Sequence, residues 1–116
     1  MNNVNLKVNG KVDSLKTDML VKKALIEEGY SKELELKSYI LDNERITYQI
    51  LNPIVIDGKE TKILREISCV DYMGYLRRYL EENGNQVYDI YPIIRDDKIS
   101  YYLNYQTKSI DNGKVR

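Results

Sequence analysis

Hydrophobic and polar residues alternate over most of the chain, a pattern typical of β-strands with one face on a core and one in water. Near the start, three apolar residues alternate with polar ones up to Asn9-Gly10. Asn-Gly favours a tight hairpin turn because both residues tolerate positive φ. We therefore predict a first β-hairpin over residues 3–15.

The alternation then gives way to a helical period from Met19 to Glu28. Thr17 or Asp18 suits the N-cap, and Gly29 supplies a left-handed residue that ends many helices. Met19 and Ile26 fall outside the predicted inner face. These two apolar side chains are expected to be buried against the second half of the chain or against another copy. A homodimer through Met19 and Ile26 is therefore one option.

Strand alternation resumes over residues 34–50 and predicts a second hairpin, and the order then recurs. Asp57-Gly58 marks the next turn. Ser68 or Asp71 can cap a second helix, which ends at Asn83-Gly84, and a last hairpin turns at Asp96-Asp97.

The prediction is an α+β fold of two tandem hairpin-helix-hairpin units, with mainly antiparallel sheet and two helices. We expect a single compact domain over residues 1–116, an internal repeat of 3–51 and 52–107, and a flexible tail over 108–116. One continuous antiparallel sheet covered by both helices on one face is the alternative.

A hairpin with an Asn-Gly or Asp-Gly turn, followed by a helix and further strands, resembles the β-grasp arrangement of ubiquitin-like proteins and bacterial sulfur carriers. The resemblance covers each half in outline and implies a binding scaffold. The carriers present a C-terminal Gly-Gly, whereas this chain ends Asp111-Asn112-Gly113-Lys114-Val115-Arg116. The resemblance therefore does not imply carrier chemistry.

Composition narrows the functional classes. Lys plus Arg number 18 and Asp plus Glu number 18, so no net charge attracts a polyanion. No stretch suggests a signal sequence or a membrane span, and the single cysteine, Cys69, makes no internal disulfide. We expect a soluble cytoplasmic protein. The abundance of Ile, Lys and Asn suggests an AT-rich bacterial genome, phage or mobile element.

Candidate chemistry is sparse because the chain contains no histidine, the commonest general base and metal ligand. The acidic clusters Asp42-Asn43-Glu44 and Asp96-Asp97 fall at predicted turns, where these residues are common for backbone reasons. Cys69 lies near the start of the second helix, but a small buried apolar residue is the favoured interpretation. We predict no catalytic centre, no metal and no cofactor.

The tyrosines are the most informative group, because 11 Tyr stand beside no Phe and no Trp. Tyr72, Tyr75 and Tyr79 share one side of the second helix and predict a tyrosine-packed core. In the last hairpin both faces carry apolar residues, and Pro92 favours an edge strand. Either that hairpin is covered on both sides or one face is exposed for recognition.

Three functional hypotheses follow. The first is a non-enzymatic protein-binding module, a regulator or inhibitor, whose contact surface includes Tyr88, Tyr102 and Asn104. The alternative is binding of single-stranded nucleic acid by tyrosine stacking beside Arg77, Arg78 and Arg95. A third, weaker hypothesis is an enzyme that uses carboxylates or Cys69.

Overall fold

The computed structural model describes residues 7–108, and they form an α+β protein with two helices and two three-stranded antiparallel sheets, as predicted. The elements are, in order, β1 (Lys7–Asp13), α1 (Ser14–Glu27), β2 (Glu35–Ile40), a 3-10 helical turn (Asp42–Glu44), β3 (Ile46–Ile56), β4 (Lys59–Ser68), α2 (Cys69–Glu82), β5 (Asn85–Arg95) and β6 (Lys98–Thr107). Neither helix within this range is long and apolar enough to cross a membrane.

The element order β-α-β-β occurs twice, and the first strand of each unit pairs with the hairpin of the other unit. Sheet A has the order β1-β6-β5, and sheet B has the order β2-β3-β4. The two exchanged pairings correspond in register: Val12 lies opposite Tyr101 in sheet A, and Ile67 lies opposite Tyr48 in sheet B. Duplication of one ancestral unit stays a prediction from the sequence.

The first predicted hairpin is wrong. Asn9-Gly10 lies inside the single strand β1, where Asn9 is opposite Asn104 and Gly10 is opposite Leu103. Leu15 belongs to α1, which begins earlier than predicted because Asp13 is its N-cap and accepts a hydrogen bond from the Lys16 backbone N–H at 3.0 Å. The repeated unit therefore has one strand before its helix. Residues 3–6 of the predicted hairpin lie outside the described residues.

Two larger expectations also change. The β-grasp-like detail is not confirmed, since the strand before α1 pairs with β6 and not with an adjacent hairpin strand. The alternative of one continuous sheet is wrong, because the strands divide into two sheets. Of the predicted tail, residues 109–116 lie outside the described part of the chain.

Several predicted helix ends and turns are confirmed. Ser68 caps α2 by accepting a backbone hydrogen bond, and Gly29 and Gly84 follow the helices with φ of 112° and 87°. Asp57-Gly58 and Asp96-Asp97 form two-residue hairpin turns, and all four residues have positive φ. These turns fix the β3–β4 and β5–β6 registers.

A stack of three buried tyrosines lies at the centre of the core. Tyr72 of α2 stacks on Tyr48 with ring centroids 3.9 Å apart and on Tyr101 with centroids 5.1 Å apart. The Tyr48 and Tyr101 hydroxyls lie 2.5 Å apart, so each is hydrogen-bonded within the core. The prediction of a tyrosine-packed core is confirmed for Tyr72, whereas Tyr75 and Tyr79 are only half-buried. The stack joins both sheets to α2.

Each helix packs one face on the core. Buried residues are Thr17, Val21, Ala24 and Leu25 on α1, and Tyr72, Leu76 and Leu80 on α2. Ile26 is half-buried against the core, whereas Met19 is 54% exposed. Of the two residues considered for a homodimer, Met19 is therefore the more accessible.

Candidate functional site

Each sheet has an inner face on the core and an outer face that points away from it. On β6, alternation puts Tyr101 and Leu103 on the inner face and Tyr102 and Asn104 on the outer face. The predicted contact residues Tyr102 and Asn104 therefore lie on the outer face of sheet A.

A stacked tyrosine pair dominates that outer face. The Tyr91 and Tyr102 rings lie with centroids 4.8 Å apart and planes inclined by 19°. Tyr91 is 45% exposed, and the Tyr102 hydroxyl donates to the Asn9 side-chain oxygen on β1. The pair is thus both accessible to solvent and held in position.

A register shift in β5 creates this arrangement. The pairing of β5 with β6 is irregular between Val87 and Asp89, so Tyr91 falls directly opposite Tyr102. Tyr88 lies in the irregularity and is 57% exposed. The residues that form the resulting patch, the tyrosine surface, are Asn9, Lys11, Tyr88, Tyr91, Tyr102 and Asn104.

Sheet B provides an internal comparison, because its register mirrors that of sheet A. Ser100 lies opposite Asp13 in sheet A, as Thr47 lies opposite Ser68 in sheet B. Two residues further along each central strand, the corresponding outer rows are Lys11–Tyr102–Tyr91 and Glu66–Gln49–Lys37. The equivalent position in sheet B therefore carries a fully polar row, without a tyrosine pair.

Asn104 lies in the next row of sheet A, between Asn9 and Asp89. Its side-chain oxygen is buried and has no hydrogen-bond partner among residues 7–108. Asn104 is thus recessed between the outer strands, and it contributes less area to the surface than Tyr88 or Tyr91.

A cleft of about 1140 Å³ adjoins the tyrosine surface where the end of β2 approaches the β5–β6 turn and the start of α1. Its charged lining comprises Lys11, Arg95 and Lys98 together with Asp13, Asp42, Asp96 and Asp97. Three basic and four acidic side chains leave no strong field of one sign. In the part of the chain that the structure describes, no cluster of three or more potential ligands is arranged to hold a metal ion.

Arg77 and Arg78 lie apart from the tyrosine surface. They are on the solvent side of α2, and this helix packs on the inner face of sheet A through the Tyr72–Tyr101 stack. Arg77 lies 3.6 Å from Glu81, and Arg78 pairs with Glu28. The structure thus brings Tyr88, Tyr102 and Asn104 together, with Arg95 at the end of β5, and separates the other two arginines from them.

Sequence reasoning missed Tyr91, Asn9 and Lys11 as members of this surface. Residues 9 and 11 reach it only because β1 pairs with a strand that follows it by some ninety positions. If alternation continued unbroken from the buried Val87, Tyr91 would face the core, and only the register shift in β5 puts it beside Tyr102.

Cys69 is the first residue of α2 and is half-buried. Its Sγ lies 3.4 Å from the Tyr101 hydroxyl, at the edge of the core tyrosine stack. Cys69 thus packs against the core, as the favoured interpretation of the sequence expects, but it is only half-buried.

Comparison of the chain with protein-family models, with curated proteins and with solved structures finds no match. The fold and the surface therefore define the class directly: an α+β protein of two exchanged β-α-β-β units with a stacked tyrosine pair on the outer face of sheet A.

Proposed function

We propose that the chain is a non-enzymatic protein-binding module, acting as a regulator or inhibitor, and that the tyrosine surface is its contact site. The stacked pair of Tyr91, which is exposed, and Tyr102, which is half-buried, is the observation that supports this proposal. Tyrosine is enriched at protein interfaces because it offers a large apolar ring with a polar tip and only two side-chain torsions to order.

Prior ordering of the ring pair strengthens the argument. Stacking and the hydrogen bond to Asn9 already restrict the Tyr102 side chain, so binding would lose little additional side-chain entropy there. Tyr88 extends the apolar area at the edge strand, and Lys11 adds a polar rim. An apolar centre with a polar rim is the usual anatomy of a specific protein interface.

Local charge favours a protein over single-stranded nucleic acid. Lys11, Arg95 and Lys98 are offset by neighbouring carboxylates, including Asp89 on the same sheet face. Arg77 and Arg78 lie on α2 and are paired with glutamates. Stacking of bases normally needs a positive groove along the backbone of the nucleic acid, and these residues do not form one.

The test exchanges the tyrosine pair for the residues that sheet B carries in the equivalent row. The double variant Tyr91→Lys/Tyr102→Gln keeps a strand-compatible pattern, and circular dichroism checks the fold. The matched control is Lys37→Ser/Gln49→Ser on sheet B. Immobilised wild type, exchange variant and control are used to capture partners from the native cell, with quantification by mass spectrometry.

We expect a specific protein that wild type and control capture equally and that the exchange variant loses by at least about tenfold, since loss of hot-spot tyrosines commonly costs 2 kcal/mol or more. Capture of the same protein by all three would overturn the proposal. Binding of single-stranded oligonucleotides at low salt is measured on the same proteins by fluorescence anisotropy. Tight binding that the exchange variant loses would support the nucleic-acid alternative for this surface.

A further inference from the structure

Strand β4 is the most open edge in the described part of the molecule. It pairs with β3 on one side only, and it has ten residues without proline, glycine or a register shift. The edge strand β5 carries Pro92 and an irregular register, while β1 and β2 have only seven and six residues. Long regular edges are the ones that pair with another chain.

The β3–β4 hairpin also extends beyond its neighbour. β2 pairs with β3 only as far as Leu51, opposite Glu35, so residues 52–56 and 59–63 form a two-stranded arm. Val55 is 71% exposed and Leu64 is 53% exposed, and Ile56 and Ile63 are similarly open. Two-stranded ribbons are marginal in water, and this one exposes three branched apolar side chains, with Leu64 directly next to it.

The turn determines which backbone groups of β4 point outward. Because Asp57-Gly58 is a two-residue turn, Ile56 and Lys59 form the closing hydrogen-bonded pair of the hairpin. Hydrogen bonding to β3 then alternates along β4. The residues whose N–H and C=O groups face away from β3 are Glu60, Lys62, Leu64 and Glu66.

We propose that β4 pairs antiparallel with β4 of a second copy of this chain, with Leu64 opposite Leu64 across the two-fold axis. This register joins the outward-facing groups of the two edges. Lys62 of each copy then lies opposite Glu66 of the other, so two ion pairs flank the central leucines. The two copies of sheet B become one six-stranded sheet.

Charge selects this register over its neighbours. A symmetric pairing centred on Ile63 would put Glu60 opposite Glu66. Pairings centred on Lys62 or Arg65 would put that cation opposite itself. Like charges directly opposite each other destabilise a strand pair, while opposite charges stabilise it. Among these four extensive registers, the pairing centred on Leu64 alone has two attractive pairs and no like-charge pair.

This interface uses the edge of sheet B, whereas the tyrosine surface lies on the outer face of sheet A. The dimer proposal therefore does not rest on the proposed function. A dimer would present two tyrosine surfaces, and failure of either proposal leaves the other standing.

Analytical ultracentrifugation over a range of micromolar concentrations tests the proposal. The wild type is expected to form a dimer, and Lys62→Glu is expected to weaken dimerisation by about tenfold or more, because two attractive pairs become repulsive. The double variant Lys62→Glu/Glu66→Lys restores opposite charges and is expected to recover the dimer. Glu35→Gln is the matched control, because it removes the 3.7 Å contact of Lys62 with Glu35 but leaves the edge intact.

Disulfide formation between two copies tests the proposed β4–β4 register independently. In a Cys69→Ser background, Leu64→Cys is expected to cross-link two copies on mild oxidation, since directly opposite Cα atoms lie within disulfide reach. Lys62→Cys should not cross-link, because the two introduced cysteines would be several residues apart. A wild type that stays monomeric, or a dimer that Lys62→Glu leaves unchanged, would overturn the proposal.

Discussion

At the scale of single residues, the buried hydroxyl of Tyr72 brings a carboxylate into the core. It donates to Asp18 at 2.5 Å and lies 2.9 Å from the Thr17 hydroxyl oxygen. Burial raises the pKa of Asp18, although the hydrogen bond from Tyr72 and the charge of Lys22 oppose the rise. Ionised Asp18 therefore costs the folded state free energy.

The sign of this effect gives a first prediction. Because the pKa of Asp18 is raised in the folded state, its contribution to stability is full below its ordinary value of 3.8 and declines as pH rises through the raised value. Asp18→Asn keeps an acceptor for Tyr72 without the charge. We expect the variant to gain stability relative to wild type as pH rises from 3 to 7.

Urea unfolding at several pH values measures that gain. The control is Asp71→Asn, which changes an exposed carboxylate in the first turn of α2. The control should show no comparable gain, since an acidic residue at a helix start is favourable when ionised. A gap between Asp18→Asn and wild type that does not widen with pH would contradict the assignment of the cost to burial of the charge.

At the scale of elements, short-range signals predicted turns and helix ends, and the failures arose from long-range pairing. Asp57-Gly58 and Asp96-Asp97 form turns because the strands on either side are sequence neighbours. Asn9-Gly10 carries the same local signal, yet β6 offers an extended partner along all of β1, so the backbone stays extended. No sequence pattern near Asn9-Gly10 indicates that β1 pairs with β6.

Gly10 tests this account of β1. It does not have positive φ, and a Cβ built there has no heavy atom within 4 Å. Because glycine weakens a strand interior, Gly10→Ala is expected to raise the free energy of unfolding by about 0.5–1 kcal/mol. A hairpin turn at this site would predict the opposite sign.

The comparison for that measurement is Gly58→Ala in the β3–β4 turn, where φ is 77°. An alanine there is strained in the left-handed region and is expected to destabilise by about 1–2 kcal/mol. Denaturant unfolding of both variants measures these changes in the free energy of unfolding. A loss of stability for Gly10→Ala similar to that for Gly58→Ala would support a turn at Asn9-Gly10 after all.

At the scale of the whole molecule, strand exchange between the two units explains why the core face of α2 could be predicted from the sequence and the members of the tyrosine surface could not. The buried face of α2 follows from spacing within one helix, so Tyr72 was identifiable as a core residue, whereas its partners Tyr48 and Tyr101 lie on distant strands. The tyrosine surface draws on β1, β5 and β6, and its geometry depends on a register shift at residues 87–89. Composition indicated a tyrosine surface, but only the pairing of distant strands determines which residues form it.

The core tyrosine stack makes the whole fold sensitive to alkali. Burial raises the pKa of Tyr48, Tyr72 and Tyr101 above the ordinary value of 10.0. Their contribution to stability is therefore full below pH 10 and is lost as pH rises toward the folded values. Each such group removes about 1.4 kcal/mol per pH unit, so together they remove about 4 kcal/mol per unit.

We expect these three tyrosines to ionise only when the protein unfolds, in a steep transition above pH 10. Tyrosinate absorbance and circular dichroism, recorded on the same samples, should show that ionisation of these three side chains coincides with unfolding. Tyr88→Phe should leave the pH of unfolding unchanged, because Tyr88 lies outside the core stack and is exposed. Complete ionisation with native circular dichroism retained would mean that the stack does not couple both sheets to α2 in solution.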